Sequence, residues 1–174
     1  MPNSTSEQRV DESVEGAFEK AVYGEATEPI TPAVIISAMV SGAVGLVAML
    51  PVAVGVPILL GLFQLEAPAG FGYLVAAQPS AGLGALFYLI GGAIVLPLFF
   101  VVTATFLPPQ RPRFVRGATL STIFWPGFVI GFWPEGGSTV VVAFLVISLL
   151  AHWIYGLVLG ASLTYLTGIP NHDI

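Results

Sequence analysis

One histidine in the middle of the last long apolar segment is the residue whose type and position could do chemistry. His152 is the only side chain between Thr139 and Leu166 that titrates near neutral pH. An imidazole at membrane depth is a candidate functional group, here as a haem ligand, a proton relay or a substrate contact. The alternative is a neutral histidine that packs and bonds a hydroxyl on an adjoining helix. The sequence favours this alternative, because the chain offers no second intramembrane histidine or carboxylate.

Other patterns that carry chemistry are missing. The chain has no cysteine and two histidines, too few ligands for a metal site within one chain. It also lacks a phosphate-binding Gly-Lys-Ser or Gly-Lys-Thr, a His-Glu-x-x-His motif and paired carboxylates. We therefore predict a protein that is not an enzyme, with no catalytic residues, no metal and no cofactor, and with His152 as its one weak candidate ligand.

The elements that position His152 are strongly apolar. Of the 174 residues, 56% are hydrophobic and 9% are charged. Charged side chains between Ala33 and Leu166 are confined to Glu66, Arg111, Arg113, Arg116 and Glu135. Uncharged runs of about 18 residues or more match a hydrocarbon core of about 30 Å. The sequence predicts an all-α, polytopic membrane protein.

Four apolar stretches predict four transmembrane helices in two hairpins, forming a domain over residues 31–166. The first helix is expected to run from about Ala33 into the Pro51–Pro57 region, and the others over Ala81–Phe106, Phe114–Trp133 and Thr139–Leu166. Thr31-Pro32 is a favourable start for the first helix, and we expect a kink, tilt or break near Pro51 and Pro57. Residues 64–79 are expected to form a loop at the membrane interface.

The segment between the second and third helices carries three arginines and defines the topology. Arg111, Arg113 and Arg116 are three of the five basic residues, and the other two loops have none. Short loops rich in arginine stay in the cytoplasm. We expect a multi-pass protein of the cell membrane with both termini in the cytoplasm.

The chain ends are polar. Residues 1–30 hold seven of the ten acidic residues and form either a disordered tail or a short amphipathic helix. Residues 167–174 form a short cytoplasmic tail. Because the N-terminal tail is acidic, binding to nucleic acid is not expected. Its start does not resemble a cleaved signal peptide, so the first helix should remain as an anchor.

Small residues recur along one face of each predicted helix. Such faces allow helix backbones to approach closely. The residues are Ser37, Ser41, Gly45, Gly84, Gly92, Gly117, Ser148, Gly156 and Gly160. They predict tight packing within the chain, against a second copy or against another membrane protein, and the sequence does not separate these cases.

An internal repeat is suggested by a shift of 75 residues. The shift places Val40, Gly42, Ala43 and Pro51 on Val115, Gly117, Ala118 and Pro126. Both helix pairs would then have the same orientation, as in a parallel two-plus-two repeat.

Three short motifs carry a resemblance to a known family. They are Gly91–Phe100 (GGAIVLPLFF), Val115–Gly117 (VRG) and Ala151–Gly156 (AHWIYG). The chain resembles the small four-helix membrane proteins of halophilic archaea classed as a domain of unknown function, from about Ser37 to Leu166. The resemblance supports the topology and the source, and implies no mechanism. Some small haloarchaeal membrane proteins accompany terminal oxidases.

Three functions fit these observations. The leading hypothesis is a non-catalytic accessory or structural subunit that packs against a larger membrane complex, such as a respiratory haem-copper oxidase. The second is a small transporter or channel formed by several copies, with His152 lining the path. The third is a haem protein that uses His152 from two chains. The expected partners are the lipid bilayer and other membrane subunits or a second copy.

Overall fold

The described part of the chain is helical. The computed structural model describes residues 30–167, and these form five helices and no strand. The helices are α1 (Pro32–Leu59), α2 (Ala69–Ala76), α3 (Ala81–Phe106), α4 (Arg116–Gly131) and α5 (Ser138–Thr167). The predictions for the acidic N-terminal tail and for the C-terminal tail lie outside the described residues, apart from the ends at residues 30 and 167.

Side-chain caps set the starts of two long helices. Thr31 accepts a hydrogen bond from the Val34 N–H at 3.3 Å, and Pro32 occupies the first position of α1. Ser80 accepts one from the Leu83 N–H at 3.3 Å at the start of α3. These bonds satisfy amide groups that a helix N-terminus otherwise leaves unbonded.

Helices α1 and α3 each contain one wide turn near their middle. The turns are π-helical, over Pro51–Gly55 and Gly91–Val95, and a proline follows each at Pro57 and Pro97. A proline has no N–H, and its ring collides with the carbonyl four residues earlier. The wide turn relieves the collision. Helix α1 therefore has no break near Pro51 and Pro57, and a π-helical turn lies where a kink, tilt or break was expected.

Three of the four predicted transmembrane helices have the length and composition to cross a membrane. Helices α1, α3 and α5 contain 28, 26 and 30 residues of high hydropathy. Helix α4 contains 16 residues and is therefore about 24 Å long. It begins at Arg116, after a 3₁₀ turn over Arg113–Val115. The described residues thus indicate a membrane protein with three helices long and apolar enough to span the bilayer and a shorter fourth helix.

The predicted interfacial loop contains a helix. Residues Ala69–Ala76 form α2, which packs against α3 and α4. A side chain at Gly70 would meet the Gly131 carbonyl oxygen of α4 at 2.7 Å, so the two backbones are close. The sequence did not reveal α2, because it is short and includes two glycines, which are poor helix formers.

The long helices surround a central space. Helix α5 packs against α1 on one side and α4 on the other, and α1 also packs against α3. Helices α3 and α4 approach each other through aromatic rings: Tyr88 and Phe128 have centroids 5.4 Å apart, and Phe99 and Phe124 are 5.5 Å apart. Because rings separate α3 from α4, the bundle is wider between them.

Candidate ligand-binding site

The bundle holds a cavity of about 620 Å³, open to the outside along part of its wall, on the side of the loops that follow α1 and α4. All four long helices line it, and residues 62–68 lie across its end. A volume of this size is typical of small-molecule sites, which span about 300–1,000 Å³. Nearly all of the lining side chains are apolar. The cavity can therefore hold a small apolar molecule.

His152 lies in the cavity wall and is 7% exposed. Its Nδ1 is 2.7 Å from the Ser148 carbonyl oxygen. A carbonyl only accepts hydrogen bonds, so Nδ1 carries the hydrogen in the neutral ring and Nε2 keeps its lone pair. No residue that the structure describes donates to Nε2. The partner of Nδ1 is thus on the same helix, where we expected a hydroxyl on an adjoining one.

Aromatic rings hold the imidazole in place. The ring centroids of Phe128 and Tyr88 lie 4.7 Å and 6.4 Å from that of His152. Phe128 in turn stacks on Phe132 at 4.4 Å and on Phe144 at 5.8 Å. Such contacts add about 0.5–1.5 kcal/mol per pair beyond area burial. They orient His152 and make the wall around it aromatic.

Tyr88 brings a second polar group to the wall. Its hydroxyl lies 4.0 Å from the Met49 sulfur, which is a weak acceptor. Ser148, by contrast, is already bonded, because its hydroxyl accepts from the Trp125 indole at 3.0 Å and donates to the Leu145 carbonyl at 3.3 Å. The site therefore presents an acceptor on His152 and a weakly engaged donor on Tyr88.

A side-chain bridge joins the two loops beside the cavity. The Gln64 amide donates to the Glu135 carbonyl at 2.6 Å and accepts from the Glu135 N–H at 2.8 Å. Gln64 also lines the cavity. Glu66 is the one charged lining residue, and it is exposed. The bridge holds the first loop across the end of the bundle.

The comparisons with known proteins assign a family. A model described as "Family of unknown function (DUF6789)" matches residues 32–174. The chain belongs to this family. Neither the curated proteins nor the solved structures contain a match. The DUF6789 match begins at the first residue of α1, so the acidic segment before it lies outside.

Most small residues predicted to pack make contacts inside this DUF6789 domain. Gly45 lies against Tyr155, Gly92 against Leu46, Gly117 against Gly156, and Gly160 against Phe114. Ser41 is fully buried and Ser148 is buried in the wall of the cavity, whereas Ser37 is half-buried. Gly84 is buried next to Pro68 and the short helix α2, not next to another long helix.

The hydroxyl of Tyr155 completes the wide turn in α3. It donates to the Gly92 carbonyl at 2.7 Å. The next backbone donor in the π pattern would be Pro97, which has no N–H. Tyr155 therefore supplies, from α5, the hydrogen bond that the proline removes.

The three arginines predicted to set the topology have different surroundings. Arg111 is exposed, and the side chain of Arg113 is outside the described set. Arg116 is 2% exposed, and it donates to the carbonyl oxygens of Ala104 at 3.0 Å and Pro109 at 3.1 Å and to the Gln110 side chain at 2.8 Å. Arg116 thus has a structural role in the DUF6789 fold that its loop position did not reveal.

The sequence identified His152 and missed the cavity around it. In the sequence, Tyr88 lies four residues from Gly84 and four from Gly92, on the same helix face. Nothing in the sequence shows that it faces His152. Among the described residues, no three His, Cys, Asp or Glu side chains come close enough to hold a metal ion. The chemistry that this arrangement offers is contact with an apolar molecule and hydrogen bonding through His152 and Tyr88.

Proposed function

We propose that this DUF6789 protein is a non-catalytic integral membrane protein that binds a small, uncharged, mostly apolar molecule inside its helix bundle. The observation that carries the proposal is the cavity of about 620 Å³ between four helices. No lysine or arginine lines it. Burying an unpaired charge there would cost several kcal/mol, whereas an apolar molecule carries no such penalty.

Four membrane crossings, with both termini in the cytoplasm, complete the proposal. Support comes from the close approach of α4 to α5 at Gly117 and Gly156, which pairs the short helix with a long one. Arg111 is exposed at the turn between α3 and α4, where the positive-inside rule places cytoplasmic charge. Helix α4 would cross a locally thinned bilayer, or packing against the neighbouring helices would hold it in place.

The contacts of two matched glycines support a parallel repeat. A side chain at Gly42 of α1 would meet the Gly92 carbonyl oxygen of α3 at 2.7 Å. Gly117, its equivalent after the shift of 75 residues, lies in the same way against the Gly156 carbonyl of α5. In each hairpin, the first helix therefore approaches the second through the same glycine.

The test is to fill the cavity. Purified protein in nanodiscs is exposed to a diazirine analogue of decane, irradiated, and mapped by mass spectrometry. We expect labelling of peptides that line the cavity, such as 140–152, and competition by unlabelled decane. Ala85→Phe, which occupies part of the cavity, should reduce this labelling. Ala43→Phe is the matched control, because Ala43 is exposed on α1 and lies outside the cavity.

The folding of the variants is checked separately from labelling. Size-exclusion profiles and thermal unfolding confirm that both variants are folded, and Ala53→Phe provides a second filling variant from α1. If decane labels only lipid-facing positions in the wild type, or if neither filling variant reduces labelling, the proposed function is wrong.

One observation favours a second candidate, the accessory subunit. A shallow apolar depression on α1, formed by Ala43, Val44, Val47 and Ala48, is left uncovered by the other described helices. The small-residue faces, however, are largely used within the bundle, so they no longer point to a partner. Association with a complex such as a haem-copper oxidase stays a prediction. Its test is co-purification from native membranes, and a partner-free monomer would contradict it.

The remaining hypotheses also stay predictions. One is a transporter or channel formed by several copies with His152 lining the path, and loss of a liposome flux in His152→Ala would support it. A haem shared between two His152 side chains gains little support, because His152 is buried in its own bundle. If the haem hypothesis is right, the absorption spectrum of the purified protein shows a Soret band. A halophilic archaeal source remains a proposal from the resemblance and the acidic tail.

A further inference from the structure

We infer that the molecule bound in the cavity carries a hydroxyl group at its buried end, and that this hydroxyl donates a hydrogen bond to Nε2 of His152. The inference rests on the proposed binding function and adds the chemical class of the ligand. It assigns an apolar alcohol or phenol, in preference to a hydrocarbon or an ion.

The need for a donor follows from the tautomer of His152. Its Nδ1–H is committed to the Ser148 carbonyl at 2.7 Å, so Nε2 is an acceptor. With the side chain 7% exposed and no described residue donating to it, this acceptor lacks a partner on the protein. Nε2 is not among the fully buried polar atoms without a partner, so it reaches the cavity surface. A ligand with an O–H can donate to it there, in a hydrogen bond worth about 0.5–1.5 kcal/mol net.

The choice of a hydroxyl follows from Tyr88. Its O–H points to a sulfur 4.0 Å away, a poor acceptor, and it lines the same cavity as His152. A hydroxyl oxygen donates one hydrogen bond and accepts others at a single atom. It could therefore give its hydrogen to His152 and receive one from Tyr88. A ketone or an ether only accepts, so it would leave His152 unsatisfied.

The shape of the cavity orients the ligand. Val140 and His152 both line it and are 12 positions apart on α5, about 18 Å along the helix at about 1.5 Å per residue. His152 and Met49 mark the deep end, and the Gln64 loop marks the other. The lining between them includes Phe128 and Phe144. An extended apolar body fits this space, with its hydroxyl at the deep end.

The experiment compares decanol with decane as competitors of the diazirine decane probe, in wild-type protein in nanodiscs. Free concentrations are corrected for partition into lipid. Because one recovered hydrogen bond is worth about one factor of ten, decanol should compete about tenfold better than decane. His152→Phe keeps a ring of similar size and removes the acceptor, so decanol should compete no better than decane in this variant. His152→Gln, whose amide oxygen accepts, should restore part of it.

The outcomes separate the two proposals. If decane competes and decanol is no better in the wild type, the hydroxyl inference is overturned and the binding function stands. If neither compound competes, the binding function fails and the inference fails with it. The wild-type comparison needs no variant, so a folding defect in His152→Phe does not affect it. In that case Tyr88→Phe, which should reduce the preference for decanol, serves as the second variant.

Discussion

Arg116 shows how a single residue can shape the connection between two helices. Its guanidinium is buried and bonds carbonyl oxygens at the end of α3 and in the following loop. A cation near the carboxyl end of a helix interacts favourably with the helix dipole, and the planar fork of arginine reaches several acceptors at once. Burial of this charge is tolerated because these acceptors replace water. The loop between α3 and α4 therefore folds around Arg116.

Replacing Arg116 should destabilise the protein. Arg116→Met removes hydrogen bonds made by a charged group, each worth about 1.5–3 kcal/mol, so we expect a loss of roughly 3 kcal/mol and a clear drop in melting temperature. The melting temperature of Arg116→Lys should lie between those of the wild type and Arg116→Met, since lysine keeps the charge but lacks the planar guanidinium that reaches several acceptors. The measurement is thermal unfolding in detergent, followed by tryptophan fluorescence.

The matched control is Arg111→Met. Arg111 is exposed in the same loop, so its loss should change the melting temperature little. Equal melting temperatures for Arg116→Met and Arg111→Met would contradict the structural role of Arg116.

At the scale of elements, glycine contacts hold α4 against α5. Gly117 and Gly156 face each other at backbone distance, and Gly160 lies against the Phe114 carbonyl. Helices in a bilayer gain little from the hydrophobic effect when they associate, so close van der Waals packing carries more of the stability. Two indole–hydroxyl bonds, from Trp125 to Ser148 and from Trp153 to Thr122, join the same helices. The short helix α4 is thus fixed along α5.

A methyl group at Gly117 should separate these helices. Its β-carbon would collide with the Gly156 carbonyl, so we expect Gly117→Ala to cost about 1–3 kcal/mol. On the same helix, a β-carbon at Gly127 would meet no atom within 4 Å. Because alanine is the better helix former, Gly127→Ala should leave stability unchanged or raise it by up to about 1 kcal/mol.

The measurement is again thermal unfolding in detergent, with both variants in parallel. A Gly117→Ala protein as stable as Gly127→Ala would show that the α4–α5 contact is looser than the structure indicates.

At the scale of the whole molecule, the helices form a bundle around a cavity beside His152. Three helices are long enough to cross a membrane, and α4 joins them through α5. The Gln64–Glu135 bridge connects the loop after α1 with the loop after α4, which places both loops at the same end of the bundle. The Arg116 loop, which joins the other ends of α3 and α4, lies opposite. The proposed topology assigns the bridged end to the outside.

Cysteine labelling tests this topology directly. The natural chain has no cysteine, so a single introduced one is the only target for maleimide. We expect Gly137→Cys, in the exposed turn after α4, to react in intact cells with an impermeant maleimide. Gln110→Cys, in the arginine loop, should react only after the membrane is opened. Labelling of Gln110→Cys in intact cells would invert the topology, and labelling of both would rule out four crossings.

The sequence by itself determined the helical class, the three long apolar helices and the start of α1 at Thr31-Pro32. These follow from local properties, since an apolar run of sufficient length and a capping side chain act on the segment that contains them. It also singled out His152. It could not show that α4 begins only at Arg116 and ends at Gly131, that α2 exists, or that prolines would produce wide turns in α1 and α3, because neighbouring helices decide how each segment adjusts.

Only the tertiary structure decided what surrounds His152 and Arg116. Tyr88, Phe128 and His152 come from three different helices, and their meeting depends on how each helix is rotated in the bundle. An almost wholly apolar helix carries little periodic pattern to specify that rotation. The close contacts of Gly45, Gly117 and Gly156 specify it instead, and the cavity is the space that these contacts leave open.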